Sequence, residues 1–286
     1  MTKVKWLIEQ DMFDEDLDSI RRAITKLGME YKMFKYLPFV EEQNFEKYYS
    51  PVECVIVYGS INLTKIVSRS IGWVPGVWCN RENLKCTSYY NALGKYLLND
   101  EYVMLPYGEL IRSRDFLFKV FGGEALFMRP DSPFKCFAGT TVTKHHYKEN
   151  IEALGFYDVT PNELVVVSSA KKLREEWRLM IIDGRVVAGS QYREDTWFKA
   201  RENFLDEVGV FAGEIAQAYV ADKAFVVDIA RLPTGELKLI ELNSFSSSGW
   251  YLADKEAIVE AAAELAIREW EDIYGWSNWK KGETND

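Results

Sequence analysis

Histidine is almost missing from this chain: the only two, His145 and His146, are adjacent, and the four cysteines (Cys54, Cys79, Cys86, Cys136) form no CxxC pair. A zinc site therefore has few ligands to draw on, and the thiols read as free in a reducing cytoplasm. No apolar run approaches the roughly 18 residues that span a bilayer. The opening MTKVKWLIEQDMFDED turns acidic too early for a secretory signal. Positive charge is not in excess either, and a formal net charge of −9 argues against bulk binding to a nucleic-acid backbone. These absences lead to the expectation of a soluble, cytoplasmic protein.

What is present is apolar and aromatic. Hydrophobic residues make up 48% and aromatics 14% of 286 residues, enough for two domains or one large α/β unit with lobes. No internal repeat or low-complexity linker appears, and only the final KKGETND reads as a frayed polar tail.

The first hundred residues alternate strand and helix. KVKWLIEQ reads as a strand, DEDLDSIRRAITKLG as a helix opened by acids and closed by Gly28, and MEYKMFKYL as a second strand. ECVIVYGS is a buried strand and INLTKIVSRS begins a helix, a rhythm that predicts a parallel sheet. Gly59-Ser60 forms either an anion nest or an ordinary βα turn. YYNALGKYLLND reads as helical. From about Phe116 the pattern changes to a strand, EALFMRP, a loop, DSPFKCFAGTTVT, a helix, KHHYKENIEALG, and a strand, ELVVVSSA. EEWRLMIIDGRVVAGSQYR is a hairpin about Asp183-Gly184. A helical ENFLDEVGVFAGEIAQAYVA and two last strands, FVVDIARLPTGELKLIELN, follow. The final helix places Ala262, Leu265, Ala266, Trp270 and Ile273 on one face. These changes divide the chain into 1–100, 101–168 and 169–286.

Asp228, Glu241 and Asn243 sit inside two strongly apolar strands, where an unpaired carboxylate is costly. Residues two apart face the same way, so Glu241 and Asn243 project together. With Thr234-Gly235 as a two-residue loop, Asp228 falls opposite Glu241. The three oxygen-bearing side chains then suit a hard cation such as magnesium. Alternatively the acids are paired with Arg or Lys or face solvent, and a one-residue slip would move Asp228 away. Glu176 and Arg178 share a strand face: the arginine grips phosphate or carboxylate, or the two form a local ion pair. Arg129 at a strand end and Lys135 in the next loop suit a polyphosphate, or are ordinary surface cations.

In this order LFMRPDSPFKCFAG, VVVSSA, EEWRLMIIDGRVVAG and FVVDIARLPTGELKLIELN resemble the ATP-grasp superfamily. The βαβ start is similar to the domain that precedes that module. The resemblance implies an α/β protein with α+β lobes, an ATP-grasp fold behind an N-terminal pre-ATP-grasp domain. It implies ATP and Mg2+ as cofactors, with Asp228, Glu241 and Asn243 as magnesium ligands. It places Arg178, with Glu176 on the same motif, at the transferring phosphoryl group, and Val167, Ser168, Ser169 and Ala170 at the adenine hinge. Two departures stand out. Arg129-Pro130 replaces the common Lys-Pro, and SPFKCFAG replaces a glycine-rich lid. In these it is similar to the divergent, largely phage-associated clade named for one arginine and two lysines. Arg129 and Lys135 match that pattern, with Lys171 as the second lysine.

The implied activity is an ADP-forming carboxylate–amine (or carboxylate–thiol) ligase working through an acyl-phosphate on a small-molecule or peptide substrate. A nucleotide-binding module without ligase activity and a kinase of the same fold are the alternatives. Ser246, Ser248 and Gly249 of SFSSSGW line the acceptor pocket, or form a polar loop into the last helix. The aromatic-rich GWVPGVWCN and CTSYYNALGKY shape the acceptor site or pack a lobe interface. Glu241→Gln is expected to abolish turnover with little change in melting temperature.

Overall fold

Three stretches of chain build three sheets. The computed structural model describes residues 3–37, 44–45, 47–70, 72–155, 159–195 and 197–282. The chain begins with β1 (Lys5–Glu9), α1 (Asp14–Lys26), β2 (Glu30–Phe34), β3 (Cys54–Tyr58), α2 (Ile61–Ser70), β4 (Val74–Gly76) and α3 (Cys86–Leu93). It continues with β5 (Tyr102–Pro106), α4 (Arg114–Phe121), β6 (Ala125–Pro130), β7 (Thr140–Thr143), α5 (Tyr147–Leu154) and β8 (Leu164–Ser169). It ends with β9 (Glu175–Ile182), β10 (Arg185–Glu194), β11 (Trp197–Glu202), α6 (Asp206–Ala218), β12 (Ala224–Arg231), β13 (Leu237–Ser244) and α7 (Lys255–Gly282).

The first sheet is parallel, in the order β2-β1-β3-β4. Its apolar strand β3 is buried at every residue because helices cover both faces, as a parallel sheet requires. Trp6, Ile8, Ile56 and Tyr58 face α1 and α7, while Leu7, Val55 and Val57 alternate onto Leu63 and Val67 of α2. The Gly59-Ser60 turn holds an anion of its own: the Glu9 carboxylate accepts the Ser60 amide, and Gly59 donates to the Ser246 carbonyl.

The second sheet, β5-β8-β6-β7, is antiparallel and packs its inner face on α4 and α5. Thr140–Thr143, expected as loop, is the edge strand β7: three β-branched threonines and a valine suit a pleated edge. The third sheet, β11-β10-β9-β12-β13, lies between two layers. Met180, Ile182 and Val226 face α7 and the N-terminal sheet, whereas Trp177, Leu179, Phe225 and Val227 face α3 and α6. By its packing, then, the chain from Cys79 through Leu97 joins the third sheet rather than the first.

The β9–β10 hairpin turns on Asp183 and Gly184, both with positive φ, as the Asp-Gly pair predicts. Helix α7 buries Ala262, Leu265 and Ala266 but leaves Ile273 58% exposed. The stripe stops because α7 has reached the loops before β3 and β4, where Trp270 and Tyr274 donate to the carbonyls of Val52 and Gly72. The expected frayed tail is helical through Gly282, and residues 283–286 lie outside the described residues.

Candidate active site

Three strands of the third sheet carry one charged rung. Arg178 of β9 is the register partner of Asp228 of β12, and Asp228 is the partner of Glu241 of β13. The turn that leads there is not the two-residue loop expected. Leu232 donates to the Glu236 carbonyl and Gly235 to Leu232, so Pro233, Thr234 and Gly235 form a three-residue loop. That change alone would slip the pairing by one and turn Glu241 away. A β-bulge at Ile240 restores the register, since Ile229 pairs with Leu239 and Asp228 with Glu241. The bulge also presents the Ile240 carbonyl to Arg129, at 3.2 Å.

Every carboxylate oxygen on the rung meets a cation. Arg178 forks Asp228 through Nε to Oδ1 and Nη2 to Oδ2, both 2.8 Å, and Asn243 donates to Oδ2 at 3.0 Å. Arg129 Nη2 lies 2.7 Å from one Glu241 oxygen and Lys135 Nζ 2.9 Å from the other. Burial lifts the Asp228 carboxyl above its ordinary value, and the Arg178 fork opposes that rise. For Glu241 burial acts the same way, but Lys135 and Arg129 outweigh it and hold the carboxyl below the usual carboxylate range. A depressed native value stabilises the fold above the unfolded value of 4.5 and loses that contribution as pH falls through the native one. Urea unfolding of wild type and Glu241→Gln between neutral pH and about pH 3 should therefore show a stability gap that is full at neutrality and narrows in acid. A gap constant across that range would contradict the pairing.

Arg178 also sits against two aromatic faces, 5.1 Å from the Tyr251 ring centre and 5.9 Å from Tyr192, whose rings stack on each other. Glu176 shares its strand face but not its partner. It accepts from Tyr192 Oη at 2.7 Å and pairs with Arg193 at 2.9 Å.

The comparisons with known proteins match this geometry. Residues 121–261 match the family model for an ATP-grasp domain, family 2 of the arginine-and-lysine clade. This segment is an ATP-grasp domain of that clade. Among solved structures, D-cycloserine synthetase DcsG aligns with a TM-score of 0.65 at 14% identity, over 92% of this chain and 99% of that one. D-alanine–D-alanine ligase from Bacillus anthracis, complexed with ATP, aligns with a TM-score of 0.61 at 14% identity, over 95% and 99%. The ATP-grasp ligase PsnB, complexed with a minimal precursor, gives 0.55 at 14% identity, over 93% and 100%. At such identities the likeness establishes the ATP-grasp fold. No curated protein sequence matches.

In this ATP-grasp structure the other expected residues are placed unevenly. At the hinge Val167 is buried in the core of the second sheet and the Ser168 hydroxyl is buried on Asn99, at 2.9 Å. Ser169 is half-buried and Ala170 exposed, so the accessible edge of this segment is at its end. Lys171 lies 3.7 Å from Asp100, away from the rung partners. Ser246 is fully buried: its hydroxyl accepts the Trp78 amide and its carbonyl the Gly59 amide, so it ties β13 to the N-terminal domain. Ser248 and Gly249 border a cavity of about 220 Å³ beside Arg178, Asn243 and Lys135. The aromatic GWVPGVWCN segment packs an interface, with Trp78 edge-on to Phe245.

Sequence reading missed four residues here. Asp131 caps α3, accepting the Thr87 amide at 2.7 Å, and so anchors the base of the loop that carries Lys135. Asp16 accepts the amides of Trp250 and Tyr251 and pairs with Lys255 at 3.0 Å, fixing the strand that follows Gly249. Tyr251 and Tyr192 embrace Arg178. Of these only Asp16 left a trace, as one acid among several opening α1.

Among the described residues no three His, Cys, Asp or Glu side chains gather as a metal cluster. The expected magnesium set is two carboxylates and an amide, and its donor chemistry fits a hard cation that keeps substrate phosphates among its ligands. The four carboxylate oxygens are now satisfied by N–H donors, and Lys135, on a loop and about a third exposed, is the donor with freedom to leave.

Proposed function

We propose that the chain is an ATP- and magnesium-dependent, ADP-forming ligase that joins a carboxylate to an amine or a thiol. Charge carries this reading. Arg129, Lys135 and Arg178 converge with only Asp228 and Glu241 to balance them, while Lys65 and Arg81 stack on Phe134, the neighbour of Lys135. A chain of net charge −9 thus keeps a cationic hollow at the junction of its lobes, suited to a triphosphate and a second anion.

In this reading adenine lies along Ser169 and Ala170, and Arg129 and Lys135 exchange Glu241 for phosphate oxygens. Asp228, Glu241 and Asn243 hold magnesium, which when bound neutralises phosphate charge. A carboxylate oxygen of the substrate attacks the γ-phosphorus, the bond to the β-phosphate oxygen breaks, and ADP leaves. The amine nitrogen then attacks the acyl carbon, phosphate departs, and a proton is released to solvent. Arg178, held by two tyrosine faces, steadies the transferring group, so most of the rate comes from positioning and charge neutralisation.

Calorimetric titration of ATP with and without magnesium, on wild type and Glu241→Ala, tests the nucleotide half. Binding that needs magnesium and fails in the variant is expected, and magnesium-independent binding equal in both proteins would remove the rung from the site. Phosphate release that requires an added amine separates a ligase from a kinase.

A further inference from the structure

The cavity beside Arg178 is narrow, and its chemistry is one-sided. Phe13, Ile61, Pro133 and Phe134 give it an apolar wall, and Lys135 and Arg178 give it positive charge. At about 220 Å³ it is smaller than the roughly 300 Å³ at which pockets for drug-sized ligands begin. None of the described residues that line it is acidic. The two nearest buried acids of the N-terminal domain are spent elsewhere, Glu9 on the Ser60 amide and Asp16 on the amides of Trp250 and Tyr251 and on Lys255. Lys65 and Arg81 flank the Phe134 ring, 5.2 and 4.5 Å from its centre, and neither forms an ion pair with a described residue.

The walls are also held in place. Phe13, Lys135 and Tyr251 all have positive φ (55°, 45° and 49°), a backbone state that costs a bulky side chain energy and persists only where the surroundings impose it. Phe13 packs on Tyr58, and Tyr251 packs on Arg178.

We infer that this cavity is the acyl-donor site and that it takes a small free carboxylic acid with an apolar body and no charged amino group. The inference rests on the ligase reading and narrows it. The carboxylate meets Lys135 and Arg178 next to the rung, the apolar body lies on Phe13, Ile61 and Phe134, and an ammonium group would find cations and no carboxylate.

The test uses hydrocinnamate and isocaproate against phenylalanine and leucine, which share their skeletons but carry an ammonium, and against a glutamate-containing peptide. Binding is measured by calorimetry without nucleotide. Activation is measured as hydroxamate formed when hydroxylamine traps the acyl-phosphate in the presence of MgATP. The deaminated acids should bind and react at least about tenfold better than either amino acid or the peptide. Ser247, a cavity-lining residue whose hydroxyl joins none of the described hydrogen bonds, allows a block. Ser247→Phe should weaken the acids by about tenfold or more while ATP affinity holds. Ile61→Trp, filling the cavity from the other side, serves if that variant does not fold. Preference for an amino acid or the peptide, no binding by the acids, or acid binding indifferent to both fillings would overturn the inference. Loss of MgATP binding in wild type would overturn the ligase reading instead, and the nucleotide-free titration would still decide what the cavity holds.

Discussion

Replacing Glu241 by glutamine removes ATP turnover and also lowers the stability of the nucleotide-free protein, by about 3 kcal/mol. The first effect follows from the proposed role of the carboxylate and the second from what it touches. Arg129 is only 5% exposed and has the Glu241 carboxylate and the Ile240 carbonyl as its partners. An amide in place of the carboxylate accepts one hydrogen bond but cancels no charge, and a buried guanidinium is left uncompensated. Lys135 adds less, because its ammonium reaches water and an exposed pair is worth little. Lys135→Met should accordingly cost well under 1 kcal/mol, since Arg129 still satisfies Glu241. Urea unfolding of the two variants, beside an ADP-release assay, checks the order. Equal stability in wild type and Glu241→Gln would mean that the Arg129 contact forms no buried pair. The sequence alone leads to the opposite expectation, an unchanged melting temperature, because spacing marks Glu241 as a metal ligand and says nothing of a guanidinium arriving from β6.

That difference shows which parts of the site could be read before the fold was in hand. The pairing of Asp228 with Glu241 was legible because side chains alternate with period two, and the order of strands and helices was legible because the apolar runs are long. The turn was misread as two residues, and the pairing nevertheless forms because the bulge at Ile240 adds back the residue that the loop of Pro233, Thr234 and Gly235 removes. A second bulge, at Tyr192, separates Gln191 paired with Trp177 from Arg193 paired with Glu176, and there Tyr192 reaches both Glu176 and Arg178. Bulges leave no mark in a hydrophobic pattern, so the partners they supply could not be found. Ser246 and Ser248 show the same limit at a turn. Two residues apart in one polar run, they part at the short 3₁₀ segment Phe245–Ser247, Ser246 onto Trp78 and Ser248 to the cavity edge. Asp131 and Asp16 act on helices and loops far along the chain, a relation that only the folded topology creates.

The Arg178–Asp228 fork allows stability and chemistry to be separated within one pair. Arg178→Met leaves Asp228, 2% exposed, with Asn243 as its remaining donor and should cost about 3–5 kcal/mol, because the charge stays buried and its counter-charge is gone. Asp228→Asn made in the same chain removes that charge, and the double variant should regain most of the loss. The two changes are then strongly coupled, as contacting residues in one ion pair should be. Turnover behaves differently. It should be absent from the single and the double variant alike, since neither retains the guanidinium that faces the cavity. Unfolding free energies for the four corners of the cycle, with ADP release for each, read both quantities at once. A double variant no more stable than Arg178→Met would show that the fork does not hold a buried charge. A double variant that still turned over ATP would move the chemistry away from this rung and towards Arg129 and Lys135, the two cations that approach it from the second sheet and its loop.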